Sequence, residues 1–300
     1  MREKIYTTVY KNMCEQNGFI QKIYEKTYAV LVKINDPIIS YKINGFDCKM
    51  NFSHKGAYYM MRNPLYDKQL GLICKLLKDK VEHSLNIVDV GANIGDTVLN
   101  IGDKENYYLC IEGVHAYASL LKQNLAGFDY KLVERFVDEK EIDDIKIVKN
   151  NGTARIIQDV SGKSLQKTST VDSICEKMKI IPDVIKVDTD GFDFKVLRGT
   201  EYTIHKYKPI IFFEWTLPEL LDNGEDPVSI FGLMNKEGYE KGILFDNLGN
   251  PFCIIETNKS DNLLRLVQYT KTKRIGYYDV CLIHKEHVIN IEEIWNALFK

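Results

Sequence analysis

Three carboxylates at the ends of apolar runs are the residues in this sequence best suited to chemistry. Asp188 and Asp190 stand two apart in "VDTDG", directly after the run "DVIKV", and Glu214 closes a later run, "PIIFFEW". Crowded carboxylates raise one another's pKa, which suits proton acceptance near neutrality. The same pair could take a divalent cation through oxygen ligands, but no histidine joins it in sequence, and a metal is not expected. Upstream, "NIVDVGANIGDT" turns sharply through Gly91, Ala92, Asn93 and Gly95. Glycine there permits close backbone approach, and a following helix start offers N–H groups to an anionic ligand. Glu112 lies 21 residues beyond Gly91, at the end of the next apolar run, where an acidic side chain can accept both hydroxyls of a ribose.

These residues need a sheet to hold them. From Asn86 onward short apolar runs ("NIVDV", "NYYLCIEG", "YKLVERFV", "DVIKVD", "PIIFFEW") alternate with stretches of helical spacing ("DTVLNIG", "AYASLLKQNLAGF", "TVDSICEKM", "FDFKVLRGTEYTIHKY"). That rhythm predicts an α/β fold with a mainly parallel sheet. "YEKGILFDNLGNPFCII" and "YYDVCLIHK" predict an antiparallel edge, and "KIVKNNGTARII" a further strand pair. Residues 1–80 read as an α/β lead-in: a helix near the start, strand-like "YAVLVKIN" and "ISYKINGFDCKMNF", and a helix in "LYDKQLGLICKLLKDKV". The expected division is therefore a lead-in over 1–80, substrate-facing or simply packed on the rest through its aromatic "YYMMRNPLYDKQ", and a nucleotide-type domain over 81–300.

Composition narrows the partners. Forty basic against forty-two acidic residues give a net charge of −2, which offers no overall attraction for nucleic acid or for an anionic membrane as the main partner; a local basic patch stays open, but "KTKR" is too short a run to make a nucleic-acid case. No segment reaches the roughly 20 apolar residues of a membrane span. Seven scattered cysteines, none in C-x-x-C spacing, predict reduced core residues and, with no apparent signal peptide, a cytoplasmic location. The dinucleotide fingerprint G-x-G-x-x-G is met only at its first glycine by "GANIGD", which weighs against a nicotinamide-dependent oxidoreductase.

Taken together, "VDVGANIGDT" and Glu112 resemble the first motif and the ribose acid of class I S-adenosylmethionine methyltransferases. "DVIKVDTDGFDFKVLRGTE" followed by "KPIIFFEW" is similar to the signature of the FkbM family, roughly I-K-I-D-V-E-G-F-E, then V-L-K-G-A, then a proline-led strand ending in Glu. The likeness runs from about Asn86 to His284. It departs where Asp190 and Asp193 replace glutamates and where "IEGVH" replaces F-E-P; each replaced glutamate draws its carboxylate back by about 1.5 Å.

The resemblance implies a Rossmann-like fold and S-adenosylmethionine as cofactor. Asp89 would face the cofactor ammonium, the Gly91–Gly95 amides its carboxylate, Glu112 the ribose and Asp138 the adenine. It implies O-methylation of a sugar, nucleotide sugar or glycan precursor, with N-methylation of an amino sugar or amino-acid decoration as the alternative. A hydroxyl acceptor must lose a proton during transfer, so a base is required. Asp188 and Asp190 are the first candidates, Glu214 the next and His115 a further one, while Trp215 could stack on a sugar face or pack in the core. A catalytically silent binding module would keep the same motifs, and oligomeric state is not legible.

Overall fold

The computed structural model describes the backbone of residues 2–143, 145–150, 153–158 and 167–299, and the side chains of residues 4–143 and 167–299. Eight strands build one sheet: β1 (Asn86–Val90), β2 (Tyr107–Ile111), β3 (Asp129–Val133), β4 (Val184–Val187), β5 (Ile210–Trp215), β6 (Lys241–Asp246), β7 (Pro251–Glu256) and β8 (Tyr278–Ile283). Their spatial order is β7-β6-β8-β5-β4-β1-β2-β3. β3, β2, β1, β4 and β5 run parallel, whereas β8 is antiparallel to β5 and β6, and β7 to β6. The fold is thus Rossmann-like α/β, mainly parallel with an antiparallel edge, as the strand rhythm predicts. Strand order reverses between β1 and β4, and in such sheets ligands bind in the crevice at that switch point.

Both faces of the sheet are covered, which is why its central strands are continuous apolar runs rather than alternating ones. All four residues of β4 are buried, Lys186 among them. Ile87 belongs to one apolar cluster, with Ile73, Leu99 and Leu121 from the helices Gln69–Lys78, Asp96–Ile101 and His115–Asn124. Val88 belongs to the other, with Ile174, Phe194 and Phe231. The lead-in joins the first cluster through Tyr10, Ile39 and Phe52. Asn124 ties it down, accepting from the Lys49 amide (2.7 Å) and donating to the carbonyls of Lys49 and Ile94 (2.9 Å each).

Two elements differ from the sequence reading. "YAVLVKIN" is not a strand but the second half of a helix, Gly18–Ile34. Its β-branched residues favour strands only weakly, and packing Tyr24, Tyr28, Leu31 and Val32 against the core rewards a helical face. "FDFKVLRGTEYTIHKY" is two helices, Asp193–Arg198 and Glu201–Tyr207. Gly199 stands between them, where a Cβ would lie 2.4 Å from the Asp138 carbonyl oxygen, and its own carbonyl accepts from the Asp172 amide at 3.1 Å. The hairpin Ile38–Ile43 with Phe46–Asn51 turns at Asn44-Gly45, both at positive φ, the geometry of a tight two-residue turn. The strands Ile145–Asn150 and Thr153–Gln158 pair antiparallel. All seven cysteines are free thiols, and no described helix is long and apolar enough to cross a membrane.

Candidate active site

A cavity enclosing about 1050 Å³, mouth included, opens at the carboxyl ends of β1, β2 and β4. The turn after β1 contributes Gly91, Asn93, Asp96 and Thr97; β2 and its continuation contribute Ile111, Glu112, Gly113 and Val114; the turn after β4 contributes Asp188, Thr189 and Asp190. Arg135, Phe136 and Val137 close one side, and Asp67 of the lead-in reaches the wall from another. Gly113 is needed where it stands, since a Cβ would meet the Phe136 ring at 2.5 Å.

Glu112 clips the two turns together. One of its oxygens accepts from the Asn93 amide at 2.9 Å and the other from the Val114 amide at 2.6 Å. Burial raises it to about 6 in spite of those bonds. The loop amides expected to meet an anionic group are mostly committed within the fold. Gly91 and Ala92 donate to the Ile111 carbonyl, Asn93 to Glu112, and Gly95 to the Ala92 carbonyl. What the loop presents instead is side chains, including the Asn93 Oδ1, which is buried without a hydrogen-bond partner.

Asp89 is also placed differently from the expectation. It is fully buried and does not form the cavity wall. Lys186 lies over it, its Nζ 3.4 Å from Asp89 Oδ1 and 3.1 Å from Asp188 Oδ2. Burial opposes that ammonium, but Asp188, Asp89 and Asp96 outweigh it and hold Lys186 well above the usual range. The sequence analysis passed over Lys186, although a cation inside a four-residue buried run is itself a signal, because burial without partners is prohibitive.

Asp188 and Asp190 share the cavity floor, both open to it. Loss of solvent and the neighbouring Asp188 raise Asp190 to about 6, with Lys186 pulling the other way. Asp193 shapes this turn from beneath, one oxygen accepting from the Thr189 and Gly191 amides at 3.4 and 3.3 Å. One strand over, Glu214 lies beside Asp188, because Val187 pairs with Phe213; Glu214 in turn pairs with Asp279 on β8. Burial first, then the nearby carboxylates, push Glu214 and Asp279 well above the carboxylate range. Neither lines the cavity itself.

Three further candidates lie elsewhere. His115 is exposed, with Nδ1 2.8 Å from Glu134 Oε2, outside the wall. Asp138 is buried next to the wall residue Val137 but is not part of the wall, and it accepts from the Glu139 amide at 2.7 Å. Trp215 is a core residue: it is fully buried, donates to the Pro227 carbonyl at 2.7 Å and packs edge-on against Phe231. It therefore has no free face for a sugar. Among the described residues no cluster of His, Cys, Asp or Glu has the arrangement of a metal site.

A family model, the methyltransferase FkbM domain, matches residues 89–241, which is 153 of the 300 residues. The chain belongs to the FkbM methyltransferase family. No curated protein matches it. Among solved structures it is similar to methyltransferase FkbM from Methylobacillus flagellatus KT, at 12% identity over 87% of this chain and 59% of that one, with a TM-score of 0.38. It is also similar to precorrin-6y C5,15-methyltransferase from Geobacter metallireducens GS-15, at 11% identity over 73% and 87%, with a TM-score of 0.39. A third likeness is to a TehB-like S-adenosylmethionine-dependent methyltransferase from Corynebacterium glutamicum ATCC 13032 Kitasato, at 12% identity over 74% and 89%, with a TM-score of 0.38.

In this FkbM methyltransferase the wall suits the cofactor in charge and shape. Five carboxylates (Asp67, Asp96, Glu112, Asp188, Asp190) against two cations (Arg135, Lys186) favour a ligand of net positive charge, and a sulfonium with an amino-acid tail is one. Ile111, Phe136, Val137 and Phe192 offer apolar surface for a flat base.

The crowding of acids has a measurable consequence. Asp67 keeps surface open to the cavity, yet the surrounding protein removes enough solvent, with Asp96 adding to the effect, to raise it to about 7; Glu219 is raised to about 7 as well, chiefly by burial. With Glu112 and Asp190, these groups hold their protons more tightly folded than unfolded, so folding takes up protons between about pH 4 and 7 and stability falls as pH rises through that window. His284 and His287, lowered mainly by burial, act in the opposite sense but are outnumbered. Glu134 and Glu139, held low by Lys122 and Arg198, lose their contribution only below the ordinary carboxylate range. The ligand-free protein is expected to melt at a higher temperature near about pH 5 than near about pH 8, as thermal scans across that range would register.

Proposed function

We propose that this enzyme transfers a methyl group from S-adenosylmethionine to a hydroxyl of a sugar, nucleotide sugar or glycan precursor. The observation that carries the reading is the pair Asp188 and Asp190 on the floor of the switch-point cavity, beside a buried Lys186. A sugar hydroxyl is too weak an acid to ionise in advance, so a carboxylate poised near neutrality is the group it needs.

When bound, S-adenosylmethionine supplies an electrophilic methyl group. Glu112 and Asn93 are the residues assigned to the ribose and the adjoining tail, with Phe136 and Val137 along the base. Asp190 is the proposed proton acceptor. Lys186 positions Asp188, while Glu214 and Asp279, behind the cavity wall, crowd Asp188 with further carboxyls. Residues 1–80 are proposed to face the acceptor, with 81–300 holding the cofactor; Asp67 in the cavity wall supports that division. The same carboxylate excess favours a cationic amine as the second acceptor class, and paired hydroxy and amino sugars would separate the two.

Equilibrium binding of S-adenosylhomocysteine and of NADH to the wild type and to Glu112→Ala tests the cofactor assignment. Glu112 makes two charge-assisted bonds inside the site, so its loss is expected to weaken homocysteine-nucleoside binding by about 100-fold. NADH should not bind. Binding of the nucleoside with no turnover on any hydroxylated or amino acceptor would instead indicate a silent module.

A further inference from the structure

The helix Gly18–Ile34 turns apolar side chains toward solvent as well as toward the core. Phe19 is 78% exposed, Ile23 47%, Val30 60% and Ile34 70%. At 3.6 residues per turn these four fall within about 60° of one another, and Lys22, Lys26 and Lys33 fall within about 40° directly beside them. All three lysines are exposed, and none has an acidic partner among the described residues. The one carboxylate on the helix, Glu25, accepts from Tyr58 and Gln21 through its Oε1, at 2.7 and 2.6 Å, and forms no ion pair with the three lysines.

We propose that this face lies flat on an anionic lipid surface. A helix of 17 residues is about 25 Å long, a row long enough to sink its apolar edge into the headgroup boundary while the lysines meet lipid phosphates. The charge pattern decides against a second copy of the chain. No acid on this face could answer the lysines, so pairing it with itself would bury like charge. The helix lies outside the cavity wall, and the inference does not depend on the acceptor or on the transfer step.

The test is co-sedimentation of the full chain with vesicles of phosphatidylcholine alone and of equimolar phosphatidylcholine and phosphatidylglycerol. Binding is expected to the anionic vesicles only and to weaken with salt. Each lysine at such a surface contributes roughly fivefold, so Lys22→Glu/Lys26→Glu/Lys33→Glu should bind about 100-fold or more weakly. Phe19→Ser/Ile23→Ser/Val30→Ser should lose binding too, and both variants should retain the wild-type circular dichroism and homocysteine-nucleoside affinity. Absence of binding to anionic vesicles, or binding unchanged in both triple variants, would overturn the proposal. So would a wild-type dimer that the serine variant converts to monomer, since a second copy would then cover the face.

Discussion

Asp190→Asn is expected to lower kcat by about 100-fold or more while leaving S-adenosylhomocysteine affinity within a few-fold of wild type. The carboxylate is open to the cavity and raised to about 6, so in the wild type kcat should fall as pH drops through about 6 and level off above it. The variant should lack that limb. Asp188→Asn should also slow turnover, but with a second effect, because it removes one of the two carboxylates 3.1 and 3.4 Å from the buried Lys186 ammonium. Lys186→Met separates the roles. Lys186 holds Asp190 down, so its removal should move the acid limb to higher pH, a shift that a purely structural lysine would not produce. Unchanged turnover in both aspartate variants would reject the proposed base.

Gly91→Ala is expected to abolish cofactor binding and destabilise the fold by about 3 kcal/mol or more. Gly91 sits at φ +79, and a Cβ there would lie 1.8 Å from the Asp188 carbonyl oxygen. Both sides of that contact are backbone at the ends of adjacent strands, so relief would mean parting β1 from β4 across the cavity floor. Gly224→Ala provides the comparison. Its φ is +73 but a Cβ would meet nothing within 4 Å, so it should cost only the left-handed backbone penalty, about 1–2 kcal/mol. Urea melts of the two variants separate the clash from the strain, and equal losses would remove the claim that close strand packing requires Gly91.

The strands around the site were legible because each is a short buried run ending in its functional residue: "NIVDV" before Gly91, "NYYLCI" before Glu112, "DVIKV" before Asp188. The antiparallel edge was legible from the two apolar runs of "YEKGILFDNLGNPFCII" on either side of their turn, and from "YYDVCLIHK". Helix boundaries were less so. "YAVLVKIN" has strand composition, yet it folds as helix because its inward residues meet a core supplied by distant segments.

What the sequence by itself determined is the order of strands and turns and the residue types at each strand end, since these rest on contacts between near neighbours and on the period of the apolar pattern. Only the tertiary structure decided which of those residues meet. It buried Asp89 under Lys186 rather than opening it to the cavity, left His115 on the surface, turned Trp215 into the core, and brought Asp67 from the lead-in to the wall. It also aligned Asp188, Glu214 and Asp279 across β4, β5 and β8. The physical reason is register: the strands that carry these carboxylates, β4, β5 and β8, are separated by tens of residues, and the pairing that places one carboxylate beside another is set by packing of whole layers, which no local spacing encodes.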